Sequence, residues 1–290
     1  MNLKERLKIF TNSIRRLVTN PYISKRIKLQ LIKDFLRFSF KTSCWHYVKF
    51  SRSYFNFKKE KILSYNIELE SYMDFMDQFI DIFVDFVYFC PLRSKEPHII
   101  DCGSNIGISI IFFKYMFPKA SIIAFEPDPT MFILLKRNCE QNKLKKIKII
   151  NSGLYSKNGF TSFYSFDKES DNGTLGSTFL EHNDYRRARI KVSVTKLSDH
   201  IKNKVDILKV DIEGSEEVVM GEIRKKLHLV NNIIMEYHAF AEINKQNKLS
   251  KIIKYLESNF YFFLNENDGQ ILPTFDHHLV ILKAKNKNNL

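Results

Sequence analysis

From residue 97 onward the chain alternates short apolar runs with amphipathic stretches, and this alternation narrows the possible folds more than any other feature. His98–Asp101, Ser121–Phe125, Ile147–Asn151, Val205–Val210 and Asn232–Glu236 read as strands. Ile108–Phe117, Thr130–Asn142, a stretch from about Ser215 and another near 241–258 read as helices. Phe260–Leu264 and Leu279–Lys283 close the chain as a hairpin-like pair. Parallel strands need a crossover connection, and a helix between successive strands supplies it. The expectation is an α/β fold with a doubly wound, mostly parallel sheet.

Ligands in such sheets bind beyond the carboxyl ends of the strands, near the point where strand order reverses. The residues standing there carry the functional reading. Strand one runs into Asp101-Cys102-Gly103-Ser104-Asn105-Ile106-Gly107. Gly103 permits a tight turn and close backbone approach. Gly107 opens a helix whose first N–H groups and positive dipole end face the loop. A dinucleotide site wants G-x-G-x-x-G here, to admit a pyrophosphate. This chain has only G-x-x-x-G, with an acid before it. That acid repels a diphosphate but suits a ligand bearing an amine and a sulfonium, as S-adenosylmethionine does.

Strand two ends in Phe125-Glu126-Pro127, and Glu126 lies 19 residues after Gly107. An acid there can accept both hydroxyls of a ribose. Asp128 is the better candidate to cap the next helix. After strand three, Gly153 and Leu154 leave room for adenine to lie against backbone. Strand four ends in Asp211-Ile212-Glu213-Gly214, with both acids on one side of the departing chain. Strand five ends in Glu236-Tyr237-His238. Taken singly, each polar residue reads as a cap or an ion-pair partner; as a convergent set they read as a site.

In this order the motifs resemble the FkbM family of S-adenosylmethionine-dependent methyltransferases. They comprise D-x-G-x-N-x-G at Asp101–Gly107, A-F-E-P at Ala124–Pro127, K-x-N at Lys136–Asn138 and a strand-three element at Asn151–Ser156. Gly176-Ser177, V-T-x-L-x-D at Val194–Asp199, K-V-D-I-E-G-x-E at Lys209–Glu216 and E-x-H at Glu236–His238 follow. Tyr155 stands where the family commonly has Ser. The match covers roughly 95–285 and leaves residues 1–90 outside. The resemblance implies a Rossmann-like seven-stranded sheet with helices on both faces, and O-methylation, often of sugars or glycoconjugates.

The cofactor set is Asp101, Gly103, Asn105, Gly107, Glu126, Pro127, Gly153, Leu154 and Asp211, for S-adenosyl-L-methionine. His238 is the first choice as the base that takes a hydroxyl proton, because an imidazole titrates near neutrality. Asp211 is second, if burial raises its pKa, and Glu236 completes the catalytic set. A divalent metal on Asp211, Glu213 and Glu236 is a less favoured variant. The acceptor is expected under the insertion 157–190, where Asn172–Ser177 forms a hydroxyl-rich loop before Arg186, Arg187 and Arg189. Two competing readings are an NAD(P)-dependent oxidoreductase and a non-catalytic, membrane-docked nucleoside-binding module.

The chain carries 46 Lys+Arg against 32 Asp+Glu, and the imbalance is local. Residues 1–61 hold 16 basic and three acidic side chains (Glu5, Asp34, Glu60), a net of +13, which leaves +1 for the remainder. Helices are expected over 2–18 and 23–39, broken at Asn20-Pro21. This basic, aromatic-rich segment, 1–65, is expected to stand apart from a methyltransferase domain at 66–290. It reads first as a helical appendage packed on the body by its apolar side. The functional variant is docking on an anionic membrane surface, favoured over nucleic acid because the aromatic run Phe38, Phe40, Trp45, Tyr47, Phe50, Tyr54, Phe55, Phe57 suits an interface. Residues 66–89 read as one helix ended by Cys90-Pro91, with Asp74, Asp77, Asp81 and Asp85 as an acidic stripe that reads first as lying in water, the alternative being that it docks the basic N-terminal segment. Cys44, Cys90, Cys102 and Cys139 form no CxxC pair, and no secretory signal or spanning segment stands out. The expected location is cytoplasmic, with peripheral placement on the inner face of the membrane as the variant.

Overall fold

A computed structural model describes residues 3–47, 58–166, 187–239, 247–266 and 278–289. Two helices, α1 (Leu3–Thr19) and α2 (Lys25–Tyr47), precede a hairpin of β1 (Lys59–Ile62) and β2 (Tyr65–Glu68). Helix α3 (Tyr72–Phe79) then runs into a π-helical turn at Ile80–Val84. Alternation begins with β3 (His98–Cys102), α4 (Ile108–Met116), β4 (Ser121–Phe125), α5 (Pro129–Gln141) and β5 (Ile147–Ile150). Next come β6 (Gly153–Leu154), β7 (Gly159–Phe166) and β8 (Arg187–Thr195). The chain continues through β9 (Ile207–Val210), α6 (Glu216–Ile223), β10 (Asn232–Ala239), α7 (Leu249–Leu256), β11 (Phe260–Glu266) and β12 (His278–Asn286).

The principal sheet has seven strands in the order β11-β12-β10-β9-β3-β4-β5. The five strands from β10 to β5 are parallel, and β12 inserts antiparallel to both β10 and β11. The expected α/β architecture is therefore present. Strand order turns at β3: the chain moves from β3 to β4 and β5 on one side, then returns to β9 and β10 on the other. The loops after β3 and β9 part at that point and leave a crevice. Along β9 all four residues are buried, as expected for a strand covered on both faces.

One region departs from expectation. Residues 66–89 are not a single helix. Main-chain N–H groups of Asn66 and Glu68 donate to Asn142 Oδ1 (2.8 Å) and Asn138 Oδ1 (2.7 Å) on α5, and β2 pairs with β1. These long-range partners outweigh local helical periodicity. The boundary expected after residue 65 falls inside β2. Helix α3 starts at Ser71, whose hydroxyl accepts from Asp74 N–H. Of the acidic stripe, Asp85 is not left to water: Arg16 Nη1 donates to it at 2.6 Å.

The insertion expected to cover the acceptor lies between β5 and β9. Its described part is a second, three-stranded sheet, β6-β8-β7, in which Phe160, Thr161 and Ser162 face Ser193, Val192 and Lys191. Residues 167–186, with Asn172–Ser177 and Arg186, lie outside the described residues, as do Phe50, Tyr54, Phe55 and Phe57. Arg189 Nε donates across the strand pair to Ser162 Oγ at 2.9 Å.

Two apolar cores flank the sheet. One joins Leu17, Leu31, Phe35 and Phe38 of the first two helices with Phe75, Phe79, Phe83, Phe112 and Phe113. The basic helices thus pack on the body. The other core lies beneath α6 and α7, around Leu208, Val210, Met220, Met235 and Leu256. Among the described residues no helix is long and apolar enough to cross a membrane.

Candidate active site

The chain leaves β3 in a tight turn in which Gly103 (φ 83°), Asn105 (φ 46°) and Gly107 (φ 94°) take left-handed conformations. Gly103 is demanded by packing. A Cβ there would stand 1.7 Å from the carbonyl oxygen of Asp211, so the β3 and β9 loops touch backbone to backbone. Gly107 is favoured by its left-handed φ, and a Cβ there would also lie 2.7 Å from Leu135 Cδ1 on α5. The turn is pinned by Gly103 and Ser104 N–H groups donating to Phe125 O at 3.1 and 2.9 Å.

Glu126, at the end of β4, is buried against this turn. Its Oε2 accepts from Asn105 N–H and its Oε1 from Asp128 N–H, both at 2.8 Å. Burial pushes its carboxyl up to about 8, against those two amides, which favour the ionised form. Asp128 caps α5 as expected, accepting from Thr130 N–H (2.8 Å) and Met131 N–H (3.2 Å).

These groups open onto a cleft of about 620 Å³, counting its open mouth. Gly103, Asn105, Glu126, Pro127, Gly153 and Leu154 line it together with Asp211, Ile212 and Glu213. Met131 and Phe163 add apolar surface. Most of the expected cofactor set therefore converges. Asp101 and Gly107 do not reach the lining. Asp101 is fully buried, accepts from Ser109 Oγ at 2.6 Å and lies 3.3 Å from Lys209 Nζ. The pair of acids expected to flank the crevice is reduced to Glu126. Asp101 instead neutralises a buried cation behind it.

That cation is the main feature the sequence reading missed. Lys209 is 1% exposed, in the middle of β9. Its Nζ also lies 3.2 Å from Asp211 Oδ2, donates to Gly103 O and sits 5.1 Å from the centre of the Tyr88 ring. Burial opposes its charge, but Asp101, Asp211 and Glu236 together outweigh that and hold it protonated. The available signal was a lone lysine within the apolar run Ile207–Val210, which must find counter-charges inside. Tyr88 was also missed. Its hydroxyl donates to Asp211 Oδ2 (3.2 Å) and to Glu236 Oε1. Burial and the neighbouring carboxylates raise its pKa far above the ordinary value, so it stays a donor.

His238 lies against this group but is not a free base. Its Nδ1–H donates to the buried Glu216 at 2.9 Å, and its Nε2 faces Glu213 Oε2 at 3.4 Å and Asp211 Oδ1 at 3.8 Å. Burial disfavours its charge. Glu213, Glu216 and Asp211 overcome that and raise its pKa well above the usual value. Glu216 is held in turn by Asn247 Nδ2 and Gly214 N–H. Glu236 is drawn aside to Tyr88; burial and the adjacent Asp211 carboxylate raise its pKa. Among the described residues, those whose ligand atoms could share a cation are Asp211, Glu213 and His238, with those atoms within 4.8 Å of one another. The trio expected for a metal had Glu236 in place of His238.

The comparisons with known proteins agree with this geometry. The sequence profile of the methyltransferase FkbM domain matches residues 101–283. The methyltransferase sdnD of Sordaria araneosa is 30% identical over 191 residues, covering 55% of this chain and 74% of that protein. The 2-O-methyltransferase NoeI of Sinorhizobium fredii is 24% identical, covering 58% and 74% respectively. The hexuronic acid methyltransferase AglP of Haloferax volcanii is 29% identical, covering 54% of this chain and 63% of its own length. The chain belongs to the FkbM methyltransferase family, and it is a methyltransferase.

Proposed function

We propose that this protein transfers a methyl group from S-adenosyl-L-methionine to a hydroxyl of a sugar or glycoconjugate. One observation carries the donor half of that reading. The described lining of the cleft contains four carboxylates, from Glu126, Asp128, Asp211 and Glu213, beside the apolar Met131, Leu154 and Phe163, and no cationic side chain. A diphosphate-bridged coenzyme entering it would meet acidic side chains and find no cationic side chain in that lining to bind it. An adenosyl group with a sulfonium and an amine meets complementary charge, which ranks the nicotinamide-coenzyme reading behind this one.

Glu126 is the residue for the ribose hydroxyls, because amides of Asn105 and Asp128 fix both its oxygens at the cleft wall. Gly153 and Leu154 border the place for the adenine, and Asn105 and Gly103 the place for the amino-acid part. When bound, the donor supplies an electrophilic methyl group on sulfur. The chain's own task is to hold an acceptor oxygen in line and receive its proton. Asp211 takes precedence over His238 for that proton. It lines the cleft, whereas His238 is buried behind it among carboxylates that keep it protonated. Lys209, Tyr88 and His238 are positioning residues around Asp211. The names of NoeI and AglP support an oxygen acceptor on a sugar or sugar acid for this chain.

The test pairs calorimetry with turnover. S-adenosylhomocysteine should bind the native chain, and Glu126→Ala should weaken it roughly 10- to 100-fold, as expected for two lost hydrogen bonds. Asp211→Asn should lower kcat by roughly 100-fold or more on a panel of neutral sugars and uronic acids, with homocysteine-product affinity retained. No heat with either the donor or its demethylated product would end the proposal. Full turnover in Asp211→Asn, with loss in His238→Ala, would return the proton to His238.

A further inference from the structure

We propose that α2 docks this protein on an anionic bilayer surface through one outward face. The helix uses opposite sides differently. Leu31, Phe35 and Phe38 are buried in the core. Leu29, Leu36 and Phe40 are 61%, 45% and 71% exposed. At 3.6 residues per turn these three fall on one stripe, and Lys25, Arg26 and Lys33 flank it, all six within an arc of roughly 100°. All three cations are exposed. Val18 and Tyr22, just before the helix, are exposed apolar neighbours.

The two described acids beside the helix, Asp34 and Glu60, are turned away from that stripe. Asp34 is buried, accepts from Leu63 N–H at 2.8 Å and pairs with Arg37 at 3.0 Å. Glu60 is buried and pairs with Lys41. Their charges are therefore spent on internal partners, and the outward face keeps only its cations. Large apolar side chains ringed by lysine and arginine on a helix fixed to a folded body describe an interfacial anchor, which inserts its apolar tips while the cations meet lipid phosphates. Isolated exposed hydrophobics need no account, but a row of three on one helix face, in a segment of net +13, does. Charge chooses among occupants. A second copy would bring two +13 segments together, and a nucleic acid would leave the leucines and the phenylalanine without use.

The full-length chain should co-sediment with vesicles containing phosphatidylglycerol and not with phosphatidylcholine alone, and salt should release it. Leu29→Ser/Leu36→Ser/Phe40→Ser and Lys25→Gln/Arg26→Gln/Lys33→Gln should each reduce the partition constant roughly 100-fold. Both variants should keep native circular dichroism and native S-adenosylhomocysteine binding, because none of the six side chains enters the core or the cleft. Absence of binding to anionic vesicles overturns the proposal. So does loss only in the lysine–arginine variant together with competition by RNA, which would identify a polyanion site. A dimer in solution that the apolar variant dissociates would overturn it too, assigning the face to a second copy.

Discussion

The two halves of the cleft are both walled by carboxylates, yet they hold them by different means. On the β3–β4 side, Glu126 and Asp128 are satisfied by main-chain amides of Asn105, Asp128, Thr130 and Met131. On the β9–β10 side, Asp211 and, behind it, Glu216 and Glu236 are held mostly by side chains, Lys209, Tyr88, His238 and Asn247, with one amide, that of Gly214, on Glu216. Amides orient a carboxylate but bring no net charge. Burial therefore prevails at Glu126, and its carboxyl rises to about 8. A network with its own cations can hold several acids together at β9–β10. On the reading proposed above, one half presents a fixed acceptor to the ligand and the other balances charge around the reacting oxygen.

The most damaging change should be the one that wedges the halves apart. Gly103→Ala places a methyl group 1.7 Å from the Asp211 carbonyl oxygen at φ 83°. Both the clash and the conformation are unfavourable, and a loss of more than about 5 kcal/mol is expected. Thermal unfolding of soluble material reads it. A variant melting near the native temperature would show that the two loops are not in backbone contact.

Lys209→Met removes the tie that crosses between the halves. Asp101 and Asp211 would then face each other's charge without their shared cation, at 3.3 and 3.2 Å from where it stood. Breaking a buried ion pair from one side costs about 3–5 kcal/mol. Urea unfolding should show that loss, and Lys209→Met/Asp101→Asn should recover part of it. Additive losses in the double variant would mean that the two residues are not coupled.

Much of the amide-held half was legible because it is local. Asp101 to Asp128 contains the turn, its glycines, the strand-end acid Glu126 and the helix cap, and each has a short-range signature. The same locality misled at Asp101. A strand-end acid looks the same in sequence whether it faces a ligand or a buried lysine, and only β9 packing beside β3 decides. The networked half was legible as positions but not as roles. Asp211 and Glu213 follow β9 as read, but β10 runs on to Ala239, so that Glu236 and His238 lie within that strand, and Tyr88, Lys209, Glu216 and Asn247 reach the group from four separate elements or loops. The hairpin at β1–β2 was missed for the same reason, since Asn138 and Asn142 stabilise it from 70 and 76 residues away.

A third test separates the halves by pH. Glu126 has a folded pKa of about 8 against an ordinary 4.5, so between those values the native state holds a proton that the unfolded chain has released. Its contribution is complete below about pH 4.5 and is lost as pH rises through 8. The native protein should therefore lose stability relative to Glu126→Gln as pH climbs across that window. Parallel pH profiles would show that the main-chain amides, rather than burial, govern this carboxyl.

The smallest effect is expected from a chelator. Asp211, Glu213 and His238 stand close enough to share a cation, yet they already sit among compensating charges. Lys209 lies 3.2 Å from Asp211, and the imidazole of His238 lies 3.4 Å from Glu213. A divalent ion entering there must oppose the buried ammonium and displace the proton that three carboxylates keep on the imidazole. The methyl donor would itself bring a sulfonium charge to the same cleft. EDTA should thus leave turnover unchanged, with and without added Mn2+. A loss restored by Mn2+, and absent in Glu213→Gln, would move the β9–β10 half from a charge-balanced proton acceptor to a metal-assisted one, and the contrast with the amide-held half would become sharper still.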